Sequence, residues 1–182
     1  MSFDERLAFV TRALAAAGRE AAAFEARQLV ESFGSDERLN AAVGRLLSGE
    51  PLQYILGEWE FWGLPFKVGE GVLIPQPDTE ILVERSLELI GRISSPRVLD
   101  LCSGSGCVAV SIAKERPDAS VTAVELYDRA FGFLEENIAL NSVKVSARRA
   151  DVLQKPDGFG EFDLIVSNPP YITADEMKTL PA

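Results

Sequence analysis

Histidine is absent from all 182 residues. That excludes Ser-His-Asp and Cys-His nucleophile chemistry, His-ligated zinc and the commonest general base together. Cysteine is nearly absent: Cys102 and Cys107 are the only two, their spacing matches neither a zinc site nor a thioredoxin-like motif, and both read as reduced packing residues. No apolar run approaches the roughly 20 residues that span a bilayer, and the first ten residues, MSFDERLAFV, carry acids where a signal peptide needs positive charge. A soluble, cytoplasmic chain without a membrane partner is expected. Positive charge is scarce as well. The balance of 18 Lys+Arg against 28 Asp+Glu gives a net charge of −10, which argues against broad binding of nucleic acid. What is plentiful is apolar surface, 47% of residues, enough for a core. The length suits one ordinary domain, or a small domain joined to part of a larger one.

The first fifty residues read as a bundle of three short helices. Phe3, Leu7, Val10 and Leu14 recur at helical spacing on one face, with Ser2 and Glu5 set as a capping box and Gly18 at the end. A second helix fits Glu20 to Phe33, closing at Gly34, and a third Asp36 to Leu47, closing at Gly49. From Pro51 the texture changes. EWEFWGLPFKV, with Trp59, Phe61, Trp62 and Phe66 around a Trp62-Gly63 turn, reads as a β-hairpin whose aromatics are hydrophobic glue between domains. Pro75 and Pro77 force an extended segment, after which Asp78 or Thr79 caps a helix to about Arg92. The expected division is a helical domain over 1–50, a linker with the hairpin over 51–75 and an α/β domain over 76–182.

That third part alternates strand and helix: RVLDL, the loop CSGSG, the helix CVAVSIAKE, then SVTAVEL, a helix from Asp128 to Asn141, a strand from Lys144 to Arg149, and FDLIVS at 162–167. Such alternation predicts a parallel sheet covered by helices. Gly104 and Gly106 follow the first strand, where they let a backbone approach a ligand at a helix N-terminus, although a glycine turn can also be merely tight. Glu125, nineteen residues past Gly106, stands where an acid accepts from ribose hydroxyls. Asp151, after the third strand, is placed to receive an adenine amine or else to serve as a turn residue. Val108 and Ala109 occupy the place of the third glycine of the dinucleotide fingerprint, and Asp100 sits beside the loop. A carboxylate there repels pyrophosphate and suits a cationic sulfonium compound with an ammonium group. S-adenosylmethionine fits better than NAD.

The sharpest motif is Asn168-Pro169-Pro170-Tyr171, directly after the last strand. Two prolines stiffen the backbone, remove two N–H donors and leave carbonyl acceptors facing the crevice. The Asn168 side-chain oxygen and the Pro169 carbonyl can accept both hydrogens of an NH2 group, aiming its lone pair at a methyl donor, with Tyr171 packed against the plane of that group.

With these motifs stated, the sequence resembles the HemK/PrmC family, methyltransferases of the glutamine side-chain nitrogen in the Gly-Gly-Gln motif of peptide-chain release factors. The resemblance runs through LLSGEPLQYILGEWEFWGLPFKV, LIPQPDTEILVE, DLCSGSG, Glu125 and NPPYI. It implies an α/β fold, a Rossmann-like S-adenosylmethionine-dependent methyltransferase sheet, preceded by a small helical substrate-recognition domain. It implies cofactor contacts from Asp100, Cys102, Ser103, Gly104, Gly106, Glu125, Leu126, Asp151, Val152 and Asn168, and catalytic roles for Asn168, Pro169, Pro170 and Tyr171. No metal is implied. The partner is a release factor rather than nucleic acid. The alternatives are an RNA or DNA amino-methyltransferase, which shares Asn-Pro-Pro-Tyr, and a fragment acting only as a binding module. Two departures stand out. Gln76 replaces the arginine usual in Ile-Pro-Arg-Pro, and the chain ends eleven residues after Tyr171, where the family continues with further strands. A truncated sheet is therefore expected. The chain is expected to be a monomer, with self-association through the exposed edge of FDLIVS as the alternative.

Overall fold

The computed structural model describes residues 1–154 and 159–169. Contacts divide the chain into two compact units, Met1–Glu58 and Trp59–Ala182.

The first unit is helical: α1 (Phe3–Ala16), α2 (Ala22–Ser32), α3 (Asp36–Leu47) and the short α4 (Leu52–Leu56). The Ser2 hydroxyl accepts from the Glu5 N–H while the Glu5 carboxylate accepts from the Ser2 N–H, so the capping box closes. Ser35 caps α3 in the same way through the Arg38 N–H. The apolar stripes converge on a core of Val10, Leu14, Leu29, Leu46 and Ile55. One expectation fails here. Helix α2 does not close through a left-handed Gly34; it ends at Phe33 in an extended conformation, and its first residue has no side-chain cap.

The second unit begins with a hairpin, β1 (Glu58–Phe61) and β2 (Leu64–Lys67), turning through Trp62 and Gly63, both left-handed. Phe61 and Phe66 are not free to bridge domains. They are buried in this unit's own core, edge to face with ring centres 6.0 Å apart. The segment over 77–90 also differs from the reading above: Pro77–Thr79 forms one 3-10 turn, and α5 runs from Glu80 to Ile90 with no side-chain cap.

A four-stranded, wholly parallel sheet follows, from β3 (Arg97–Leu101), β4 (Ser120–Glu125), β5 (Val145–Arg149) and β6 (Leu164–Ser167), in the order β5-β4-β3-β6. Between them run α6 (Cys107–Glu115) and α7 (Asp128–Leu140). Every residue of α6 from Cys107 to Ala113 is buried, which explains its nearly unbroken apolar run. The chain passes from β3 outward through β4 and β5, then returns to pair β6 on the other flank of β3. That reversal is a topological switch point, and ligands of open α/β sheets bind outside the carboxyl ends of the strands at such a point. Among the described residues no helix is long and apolar enough to cross a membrane.

Candidate active site at the sheet switch point

Strand register assembles the site. Leu101, the last residue of β3, lies opposite Val124 of β4 on one side and Ser167 of β6 on the other. The next residue of each strand, Cys102, Glu125 and Asn168, is therefore delivered to one crevice. The junctions are stitched by side chains as well: Ser167 Oγ donates to the Leu101 carbonyl at 2.8 Å, and Ser103 Oγ accepts from the Val124 N–H at 3.1 Å while donating to the Asp100 carbonyl at 3.0 Å.

The loop from β3 to α6 turns through three left-handed residues, Cys102, Gly104 and Gly106. The two glycines serve different ends. A Cβ on Gly104 meets only Val72 Cγ2, at an ordinary 3.8 Å, so the backbone there is open to a ligand. A Cβ on Gly106 runs into Leu134 Cδ1, so this glycine serves the close packing of the loop against α7.

Two acids face this loop. Glu125 is buried, and its carboxylate accepts from the Gly104 N–H at 2.9 Å through Oε2 and from the Leu126 and Tyr127 N–H groups at 2.8 and 2.9 Å through Oε1. It ties the glycine loop to the end of β4. Asp100 is 2% exposed and its carboxyl is pushed up to about 7. Burial is the main cause; the Ser103 hydroxyl and the Ala109 N–H pull the other way, and the nearby Glu125 charge pushes further up. Among the described residues Asp100 Oδ2 finds no hydrogen-bond partner. A buried carboxylate oxygen without a donor, beside an open glycine, is a place for a cationic hydrogen-bond donor. Burial pushes the Cys107 thiol up to about 12 and raises that of Cys102, with Glu125 adding to the latter, so the surroundings favour the protonated form of both.

Asp151 lies just beyond β5, but both carboxylate oxygens are occupied in its own turn, by the Leu153 N–H and Gln154 Nε2, each at 3.0 Å. Val152 is in the same turn. Asn168 and Pro169 close the site from β6; Pro170 and Tyr171 lie outside the described residues. Asn168 Nδ2 donates to Thr79 Oγ1 at 3.0 Å. This contact, across 89 residues of chain, has no counterpart in sequence spacing, and Thr79 does not cap α5 because its backbone is already helical. Gln76, in the place of the arginine, is exposed and donates to the Ile74 carbonyl two residues before it at 2.9 Å.

A parallel sheet with a glycine turn after one strand, an acid after the next and Asn-Pro across the switch point defines a Rossmann-like α/β methyltransferase sheet. The chain belongs to the methyltransferase small domain family, whose model matches residues 77–180. It is similar to the release factor glutamine methyltransferase of Fusobacterium nucleatum, 48% identical over 139 residues, covering 76% of this chain and 39% of that protein. The protein of the same name from Flavobacterium psychrophilum is 45% identical, covering 75% and 49%. The chain thus spans about half the length, or less, of these curated relatives. Among solved structures, the 16S rRNA N2 G1207 methyltransferase of T. thermophilus, in complex with AdoMet and guanosine, superposes with a TM-score of 0.52 at 26% identity, over 64% of this chain and 33% of that one. The tRNA (uracil-54, C5)-methyltransferase of Pyrococcus abyssi, TM-score 0.51 at 18% identity over 62% and 28%, shares the fold.

Proposed function

We propose that this chain is the core of an S-adenosylmethionine-dependent methyltransferase acting on the side-chain amide nitrogen of the glutamine in the Gly-Gly-Gln motif of peptide-chain release factors. The observation that carries the reading is the pairing of Leu101 with Ser167, which sets Asn168-Pro169 against the glycine loop. Relatives bearing the release factor methyltransferase name support the substrate.

The residues fit the cofactor. Asp100 Oδ2 offers a buried acceptor to its ammonium group, the open backbone at Gly104, with Cys102 and Ser103, borders its amino-acid part, and Glu125 and Leu126 face its ribose and adenine. Asp151 and Val152 flank the adenine side. Gly106 acts through the packing of the loop. When bound, S-adenosylmethionine supplies an electrophilic methyl group on a positively charged sulfur.

The chain's own work is positioning. An amide nitrogen is a poor nucleophile because its lone pair is delocalised into the carbonyl, and the chain has no histidine to serve as a base. Asn168 Oδ1 and the Pro169 carbonyl accept the two hydrogens of the substrate NH2 and fix its lone pair in line for displacement, with Pro170 and Tyr171 completing the motif. Orientation of this kind supplies up to about 7–11 kcal/mol. The helical unit recognises the protein substrate in the cytoplasm, and the chain works as a monomer. An RNA amino group is the second reading, favoured by the rRNA methyltransferase among the fold neighbours and opposed by the net charge of −10. The test is to incubate the chain with S-adenosylmethionine, unmethylated release factor and bulk RNA together, and to locate methyl groups by mass spectrometry. A methyl on the Gly-Gly-Gln glutamine supports the proposal; a methyl on RNA alone replaces it with the second reading.

A further inference from the structure

We infer that Thr79 is a positioning residue that holds the Asn168 side chain by its Nδ2 and leaves Oδ1 to receive a substrate NH2 group, an inference that rests on the reading above. An asparagine amide has an acceptor end and a donor end of nearly equal size, and the reaction needs the acceptor end turned to the substrate. With the donor end held at Thr79, the acceptor end is the one left for the substrate.

The structure supplies an anchor for the other end. Thr79 Oγ1 accepts from Asn168 Nδ2 at 3.0 Å, and Thr79 is a buried residue, 8% exposed, so that water competes poorly for that hydrogen. The segment that carries Thr79 is itself rigid. Pro77 fixes the first residue of the 3-10 turn, the Thr79 N–H donates to the Gln76 carbonyl at 2.9 Å, and the neighbouring Glu80 Oε1 accepts from the Trp62 N–H at 2.9 Å, pinning the segment to the hairpin. Asn168, for its part, sits at the end of a strand whose last residue is tied to β3 through Ser167 Oγ. Two stiff elements, distant in sequence, thus fix one amide from its donor end. Thr79 itself touches no reacting atom. It acts through Asn168, and the stretch Pro75-Gln76-Pro77-Asp78-Thr79 becomes a buttress for the Asn-Pro motif.

The test uses the full chain with Thr79→Val, which keeps the shape and removes the acceptor, and Thr79→Ser, which restores it. Release factor methylation and S-adenosylmethionine affinity by calorimetry are measured alongside the Asn168 side-chain NH2 signals in a 15N spectrum, assigned by Asn168→Asp. Thr79→Val is expected to lower kcat about tenfold with cofactor Kd changed by less than about twofold, and to shift the Asn168 NH2 signals; Thr79→Ser is expected to restore both. Equal loss in the two variants, or Asn168 signals unmoved by Thr79→Val, overturns the inference. If the unmodified chain methylates no release factor, the functional reading fails by itself, and the spectrum still decides whether Thr79 holds the amide.

Discussion

Asn137 of α7 and Lys67 of β2 hold each other through both ends of one amide: the Lys67 N–H donates to Asn137 Oδ1 at 2.6 Å and Asn137 Nδ2 donates back to the Lys67 carbonyl at 3.0 Å. The same Nδ2 donates to the Ser105 carbonyl in the glycine loop at 2.9 Å, and the side chain is wholly buried. One turn later Asn141 Nδ2 reaches the Pro65 carbonyl at 2.9 Å. The hairpin is thus part of the scaffold of the glycine loop, docked by two asparagines of α7 and by the burial of Phe61 and Phe66.

Replacing Asn137 with alanine leaves three backbone groups without that partner in a buried place. We expect a stability loss of about 2–4 kcal/mol and a weakening of S-adenosylmethionine binding by about tenfold, because Ser105 loses its tether. Urea denaturation and calorimetry read the two effects. An intact affinity in a destabilised protein would show that the loop holds its shape without α7.

Asp100 makes a prediction about pH with a definite sign. Its carboxyl stands at about 7 in the folded chain against an ordinary 3.8, so between these values the folded state binds a proton that the unfolded state has released. Its contribution to stability therefore falls as pH rises from about 4 to about 7, by roughly 4 kcal/mol, and is constant above. Asp100→Asn removes this slope, and thermal melts of the two proteins across that range should converge at low pH and separate in favour of the variant near neutrality. A cationic ligand favours the charged carboxylate, so S-adenosylmethionine affinity should rise with pH up to about 7 in the unmodified protein only, and a flat profile there would remove Asp100 from the binding site.

The two loop glycines should separate when each is changed to alanine. At Gly106 the new methyl collides with Leu134 and the backbone is left-handed, so the cost falls on folding, about 2–4 kcal/mol, and Leu134→Ala in the same chain should relieve part of the collision. At Gly104 there is room for the methyl and only the left-handed backbone is penalised, about 1 kcal/mol, while the ligand's approach is blocked. Denaturation midpoints and cofactor affinity measured on both variants check this, and a Gly106→Ala protein of undiminished stability would contradict it.

Much of this arrangement is legible in the sequence because it rests on local rules. The capping box of Ser2 and Glu5, the alternation of strand and helix, and the placing of Glu125 at the end of β4 all follow from periodicity and spacing. Features set by tertiary contact are not legible. Gly34 looks like a helix stop but is not needed as one, since α2 is already closed by an extended Phe33. Gly104 and Gly106 are identical letters whose roles differ only through what α7 brings close. Thr79 reads as an N-cap, yet its hydroxyl is taken by Asn168, a partner that no pattern within a single element announces. The hairpin aromatics read as adhesive between domains, whereas Phe61 and Phe66 are buried in the core that the sheet and helices of the second unit share.

Glu125 separates holding the loop from holding the cofactor. Its carboxylate presents only acceptors, and it meets three backbone donors, from Gly104, Leu126 and Tyr127. In Glu125→Gln the single carbonyl oxygen can still serve Leu126 and Tyr127, but the new NH2 then faces the Gly104 N–H, donor against donor. The loop moves off β4 on that side, and ribose hydroxyls lose a charged acceptor. Charge-assisted bonds are the stronger class, so we expect S-adenosylmethionine affinity to fall by about a hundredfold while stability falls by about 1–3 kcal/mol, leaving a folded chain. Amide exchange of Gly104 should quicken in the variant relative to Leu126 and Tyr127. If all three exchange alike and affinity is kept, the carboxylate is a strand-end cap, and the acceptor for ribose has to be sought elsewhere along the crevice.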